Sequence, residues 1–105
     1  MGYTQCNYED VDQPAPGMQF LRNALECENL GFTVVDVDGE WRGKEHDHSD
    51  EGQEEVYLLI EGDGELTVDG ETVPLEPGEA VRVDPDDSRQ LSFDGSSKMV
   101  IAGAP

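Results

Sequence analysis

Short runs that alternate apolar and polar residues recur from residue 30 to residue 102, and turn signals separate them. Alternation with a period of two predicts β-strands, and Asp69-Gly70 between two such runs predicts a tight hairpin. With no convincing long helix, the pattern predicts an all-β antiparallel barrel or sandwich. The predicted strands cover residues 30–37, 55–61, 65–68, 72–75, 80–84, 89–93 and 98–102.

The beginning of the chain differs in character. Residues 1–17 are polar and end in Pro14-Ala15-Pro16-Gly17, which predicts an N-terminal arm without a core of its own. Residues 18–105 are then one β-barrel domain, as the length of 105 residues suggests. Within it, the apolar spacing over residues 18–25 fits a short helical turn or an edge strand equally well.

The run over residues 55–61 is apolar on both faces. Tyr57 and Leu59 share one face with Glu55, and Val56, Leu58 and Ile60 lie on the other. Such a strand is expected to be covered on both sides. One face would line the barrel, and the other would pack on the N-terminal arm or on a second subunit in a homodimer.

The only two histidines, His46 and His48, are two residues apart, so on an extended strand both rings point the same way. Glu55 opens the next predicted strand. Two imidazoles and a carboxylate on one side of a sheet are a ligand set for a divalent ion such as iron, manganese, nickel or zinc, with positions left open. The alternative is that both histidines are solvated and have no role.

These residues also resemble the first motif of the cupin superfamily, in which two histidines and a glutamate are followed by a glycine, here Gly62. The run 77–91 is similar to the second motif, but Arg89 stands where the final histidine ligand is found. The resemblance spans residues 30–102 and implies a small jelly-roll barrel with the metal inside. The gap between His48 and Glu55 is longer than usual, so Gln53 or Glu54 could replace Glu55.

The resemblance implies two classes of function. One is a metal-dependent dioxygenase, isomerase or decarboxylase that acts on a small acid or sugar, with Arg89 gripping a carboxylate or phosphate and Tyr57 and Trp41 near the substrate. The other is a small-molecule binding module without chemistry, in which Arg89 pairs with Glu55. Arg89 shares a face with Leu91 and Phe93, so it is expected to be buried and to need a partner. Trp41 could equally be a packed aromatic residue.

Charge narrows the possible partners. Asp and Glu number 25 against 6 Lys and Arg, a net charge of −19. Because the acids are dispersed among regular strands, the composition favours a folded, halophile-like surface over disorder. A field of this sign repels nucleic acid and anionic membranes. Cys6 and Cys27 are too few for a disulfide framework, and the N-terminus has no signal-peptide pattern, so we expect a cytoplasmic protein.

We predict that the melting temperature rises steeply between dilute buffer and molar KCl. The Debye length falls from about 10 Å at 0.1 M to about 3 Å at 1 M salt, which screens the repulsion among the acids. Thermal unfolding followed by circular dichroism at a series of KCl concentrations measures this. A flat melting temperature would remove the argument for a halophile-like surface.

Overall fold

The structure, a computed structural model, describes residues 2–105, so the predicted arm lies within it except for its first residue. Nine strands and one short 3-10 helix, Tyr8–Asp10, make up its regular structure. No helix among these residues is long and apolar enough to cross a membrane. The strands are β1 (Met18–Phe20), β2 (Gly31–Val37), β3 (Trp41–Arg42), β4 (Glu54–Glu61), β5 (Gly64–Val68), β6 (Glu71–Leu75), β7 (Ala80–Val83), β8 (Arg89–Phe93) and β9 (Ser97–Ala104).

The strands form two antiparallel sheets. One has the order β1-β2-β9-β4-β7 and the other the order β3-β8-β5-β6. The prediction of an all-β antiparallel jelly roll is confirmed. The two sheets pack face to face without closing into a continuous barrel, so the sandwich describes the molecule better than the closed barrel does.

Local sequence explains most strand ends. The β5–β6 hairpin turns at Asp69 and Gly70, which both have positive φ values of 48° and 85°, as a two-residue turn of this kind requires. For residues 18–25 the sequence allowed either a helical turn or an edge strand. In the structure Met18–Phe20 is an edge strand paired with β2, and irregular turns follow it. β9 is longer than predicted because it pairs with β2 on one side and β4 on the other.

The core lies between the two sheets. β8 and β9 alternate strictly between buried and partly buried residues, which is the expected pattern for strands with one face on a core. Burying a side chain such as Leu59 or Leu66, both fully buried, contributes about 1.5–3 kcal/mol. The core residues are Val35, Val37, Tyr57, Leu59, Leu66, Leu75, Val83, Leu91, Phe93, Met99 and Ile101.

The N-terminal arm covers one part of the outer face of the five-stranded sheet. The Tyr8 hydroxyl donates a 2.8 Å hydrogen bond to Asp36 Oδ2, which raises the pKa of Tyr8. Gln19 and Val34, which pair across β1 and β2, are buried although Gln19 is polar. The β4 part of the same face stays open, with Val56 40% and Ile60 43% exposed.

We predict a homodimer formed through this open face of β4. Apolar side chains on a sheet face are stabilised by burial against a second copy, and a symmetric pair is the commonest arrangement. Light scattering in molar KCl should give twice the monomer mass of 11.5 kDa. Val56→Glu should shift the mass toward the monomer, whereas Tyr3→Glu, at an exposed aromatic residue in the arm, should not. A mass near 11.5 kDa for the parent protein would contradict the prediction.

Candidate metal centre

Backbone hydrogen bonds hold the segment that carries the two histidines against residues 85 and 89. His46 and Arg89 exchange two hydrogen bonds, of 2.9 and 2.8 Å, and the His48 amide donates to the Pro85 carbonyl at 2.9 Å. The chain between them is extended, so both rings point to the same side, as their spacing predicts. Their centroids are 5.0 Å apart with an interplanar angle of 83°.

Glu55, the second residue of β4, lies beside both imidazole rings. Its Oε1 lies 3.3 Å from His48 Nε2 and 4.0 Å from His46 Nε2. One candidate ligand atom from each of the three residues lies within 4.8 Å of the other two. The structure therefore brings together the three residues that the sequence grouped.

The second nitrogen of each ring is held by an acceptor. His46 Nδ1 lies 3.0 Å from the Lys44 carbonyl oxygen, and His48 Nδ1 lies 3.2 Å from Glu51 Oε2. A carbonyl and a carboxylate only accept, so we assign the proton of each ring to Nδ1, which leaves the Nε2 lone pairs directed at the centre. Lys44 and Glu51 were missed by the sequence analysis, although an acid three residues after His48 was a visible signal.

The donor set suits a divalent cation. His48 Nε2 is buried and has no hydrogen-bond partner among the described residues, although a carboxylate oxygen lies 3.3 Å away. A lone pair that faces an anion at this distance is repelled by it. A cation between the two atoms would turn the repulsion into two favourable contacts, and nitrogen and oxygen ligands of this kind suit iron, manganese, nickel or zinc.

Two further groups contact the same carboxylate. The Tyr57 hydroxyl donates a 2.7 Å hydrogen bond to Glu55 Oε1, and Arg89 Nη1 lies 3.6 Å from that oxygen. Burial, together with the Glu55 charge, raises the pKa of Tyr57, so its hydroxyl remains a donor. Glu55 is itself only 13% exposed and is fixed from several directions.

Arg89 is fully buried, as its shared face with Leu91 and Phe93 predicts. Its Nη2 donates to the Asp84 carbonyl oxygen at 2.6 Å, while Nε and Nη1 have no hydrogen-bond partner among the described residues. The sequence predicts that Arg89 either grips a carboxylate or phosphate of a substrate or pairs with Glu55. In the structure Arg89 is not among the residues that line the cavity, and the carboxylate oxygen within 4.0 Å of its guanidinium is Glu55 Oε1, 3.6 Å from Nη1.

Glu54 and Gln53, the two alternatives to Glu55 as a metal ligand, point in different directions. Glu54 points outward, where its Oε2 lies 3.5 Å from the Arg82 guanidinium. Gln53 shares the Glu55 face and lines a neighbouring compartment of about 320 Å³. The long gap after His48 is taken up by a turn, in which the Gly52 amide donates to the His48 carbonyl oxygen at 2.9 Å and φ of Gly52 is +63°.

The three candidate ligands open into a cavity of about 310 Å³ between the sheets. Trp41 and Tyr57, both predicted near a ligand, line it. Trp41 also packs on Phe93 at a centroid distance of 5.8 Å and donates to the Pro16 carbonyl oxygen, so it is a packed aromatic residue as well as a wall. The lining residues are Met18, Phe20, Thr33, Trp41, Gly43, Lys44, His46, His48, Glu55, Tyr57, Leu91 and Ile101.

Solved structures with the same fold are numerous. A cupin protein from Bacteroides fragilis is 24% identical, with a TM-score of 0.77 over 99% of this chain and 85% of its own. KdgF from Halomonas sp. is 22% identical, with a TM-score of 0.78 over 100% of this chain and 94% of its own. A cupin-superfamily sugar phosphate isomerase from Silicibacter pomeroyi is 16% identical, with a TM-score of 0.73 over 96% of this chain and 75% of its own.

At these identities the structures show a shared fold. No curated protein matches the sequence at a significant level. Residues 33–102 match the cupin domain family, and this range contains both histidines, Glu55 and Arg89. Because the match covers more than half of the 105 residues and the strands form the corresponding jelly roll, the chain belongs to the cupin family.

Proposed function

We propose that this protein binds one divalent metal ion through His46, His48 and Glu55 and uses the adjacent cavity to bind a small molecule. The observation that carries the proposal is the buried Nε2 of His48, which lacks a hydrogen-bond partner among the described residues and faces a carboxylate. A cation accounts for both groups. The Nδ1 contacts to Lys44 and Glu51 support it further, since they fix the ring orientation that a metal site needs.

A bound ion of this kind supplies Lewis acidity or redox chemistry at its open positions, as an isomerase, decarboxylase or dioxygenase requires. The protein's own residues supply the surroundings. Tyr57 donates to Glu55 Oε1 and restricts the carboxylate, and apolar side chains form the walls of the cavity beside the three ligands. Arg89 Nη1 lies 3.6 Å from Glu55 Oε1 and helps to hold the position of this carboxylate.

Arg89 also favours a second candidate function, a binding module without a metal. Its guanidinium places a permanent positive charge 3.6 Å from Glu55 Oε1, so an internal cation already balances the carboxylate. Arginine has no lone pair to offer a metal and repels one nearby. Metal affinity should therefore be weaker than that of a site with four protein ligands, and metal analysis of protein purified without chelator separates the two functions.

Titration with Mn²⁺ or Ni²⁺ by calorimetry in molar KCl tests the ligand set. We expect one site per chain, which His46→Ala, His48→Ala and Glu55→Ala each abolish because a ligand is lost. Arg89→His should tighten binding, since it removes a permanent positive charge that repels a cation. Glu54→Ala is the matched control, because this neighbouring carboxylate points outward and pairs with Arg82. Unchanged binding by both histidine variants would place the site elsewhere.

The two arginines on neighbouring strands predict a contrast in stability. Arg89→Met should lower the free energy of unfolding by about 3 kcal/mol, because it removes the positive charge that is paired with Glu55 and leaves the Asp84 carbonyl oxygen without its donor. Arg82→Met removes an exposed pair with Glu54 and Asp84 and should change stability far less. Urea denaturation of metal-free protein measures both. Equal effects of the two substitutions would mean that the Arg89 pair contributes no more than a surface contact.

A further inference from the structure

The cavity beside the histidines differs in charge from the other depressions of the described surface. Glu55 is the only acid that lines it or its neighbouring compartment, whereas Lys44 lines the first and Arg22 the second. Three other depressions have a net negative lining, with one acid, Glu9, in the first and two or three acids in each of the others. In the cavity Lys44 balances Glu55, so on so acidic a protein this is a place where an anionic ligand meets comparatively little repulsion.

The walls of the cavity are apolar. Met18, Phe20, Trp41, Leu91 and Ile101 contribute them, and several are large or aromatic. A volume of about 310 Å³ is at the lower end of the range for small-molecule sites. The body of the ligand should therefore be small and apolar, because burial of apolar surface is what these walls can stabilise.

The polar groups of the cavity are few, and most are already engaged. The Tyr57 hydroxyl donates to Glu55, and Trp41 Nε1 donates to the Pro16 carbonyl oxygen. Apart from the three candidate metal ligands, Thr33 and Lys44 are the polar side chains that remain. A sugar would bury several hydroxyl groups here without partners, which costs about 1–3 kcal/mol for each group. The lining thus favours an acid over a sugar.

Lys44 is suited to recognise the charged end of such a ligand. Its carbonyl oxygen fixes His46 through Nδ1, so the lysine is tied to the centre by its own backbone. Among residues 2–105 no carboxylate lies within 4.0 Å of its ammonium group, whereas Arg22 already donates to the Glu28 carbonyl oxygen. The ammonium group therefore remains available to an incoming anion.

We infer that the ligand of this cavity is a small monocarboxylic acid with an apolar, aromatic or branched body, and that Lys44 selects its carboxylate. The inference rests on the proposed function and deepens it by naming the class of ligand. The apolar body lies against Trp41 and Phe20, and the carboxylate lies at the end of the cavity that holds Lys44 and the candidate metal ligands.

The test compares phenylacetate with phenylacetamide, its neutral counterpart, and with glucose and glucuronate, by calorimetry on the full chain with and without Mn²⁺ at one fixed KCl concentration. We expect phenylacetate to bind, and the amide and both sugars to bind at least tenfold more weakly. Lys44→Gln should weaken phenylacetate binding about tenfold, and Lys44→Arg should restore most of it. Arg42→Gln removes an exposed charge outside this cavity and should have no effect.

The outcomes separate the two proposals. Tight Mn²⁺ binding without phenylacetate binding would overturn the inference and leave the metal proposal standing. Lys44-dependent phenylacetate binding to a protein that takes up no Mn²⁺ would support the inference and overturn the metal proposal. Equal binding of acid and amide, tighter binding of either sugar, or equal binding by the parent and Lys44→Gln would each overturn the inference.

Discussion

The interior of this protein is arranged around one carboxylate. Glu55 Oε1 lies within 4.0 Å of nitrogen atoms of His46, His48 and Arg89, and it accepts a hydrogen bond from Tyr57. A carboxylate that is only 13% exposed needs hydrogen-bond donors and positive charge around it. These groups come from β4, β8 and the histidine segment. The register of both strands and the position of the segment must therefore be correct for the site to form.

Much of this arrangement could be predicted from local patterns. The spacing of His46 and His48 predicts their common direction, because side-chain alternation depends only on an extended backbone. The burial of Arg89 follows from its shared face with Leu91 and Phe93. Asp69-Gly70 predicts its hairpin for a similarly local reason, since the turn requires positive φ at both residues.

What could not be predicted depends on contacts between segments that are distant in sequence. Whether Arg89 faces the cavity or Glu55 depends on how β8 packs against β4. The residue pattern of one strand does not reveal how it packs against another. The contact of Glu51 with His48 is local, but it also depends on the turn that takes up the long gap before Glu55. The open edges of the two sheets likewise depend on overall curvature, which alternation does not report.

The position of β9 has a consequence for how the protein forms. This strand is the last of the nine in the chain, yet it lies in the middle of its sheet and joins β2 to β4. During synthesis β2 and β4 therefore each keep one unpaired edge until β9 is available to connect them. Pairing between strands so far apart in sequence slows folding, and it exposes apolar strands to aggregation in the interval.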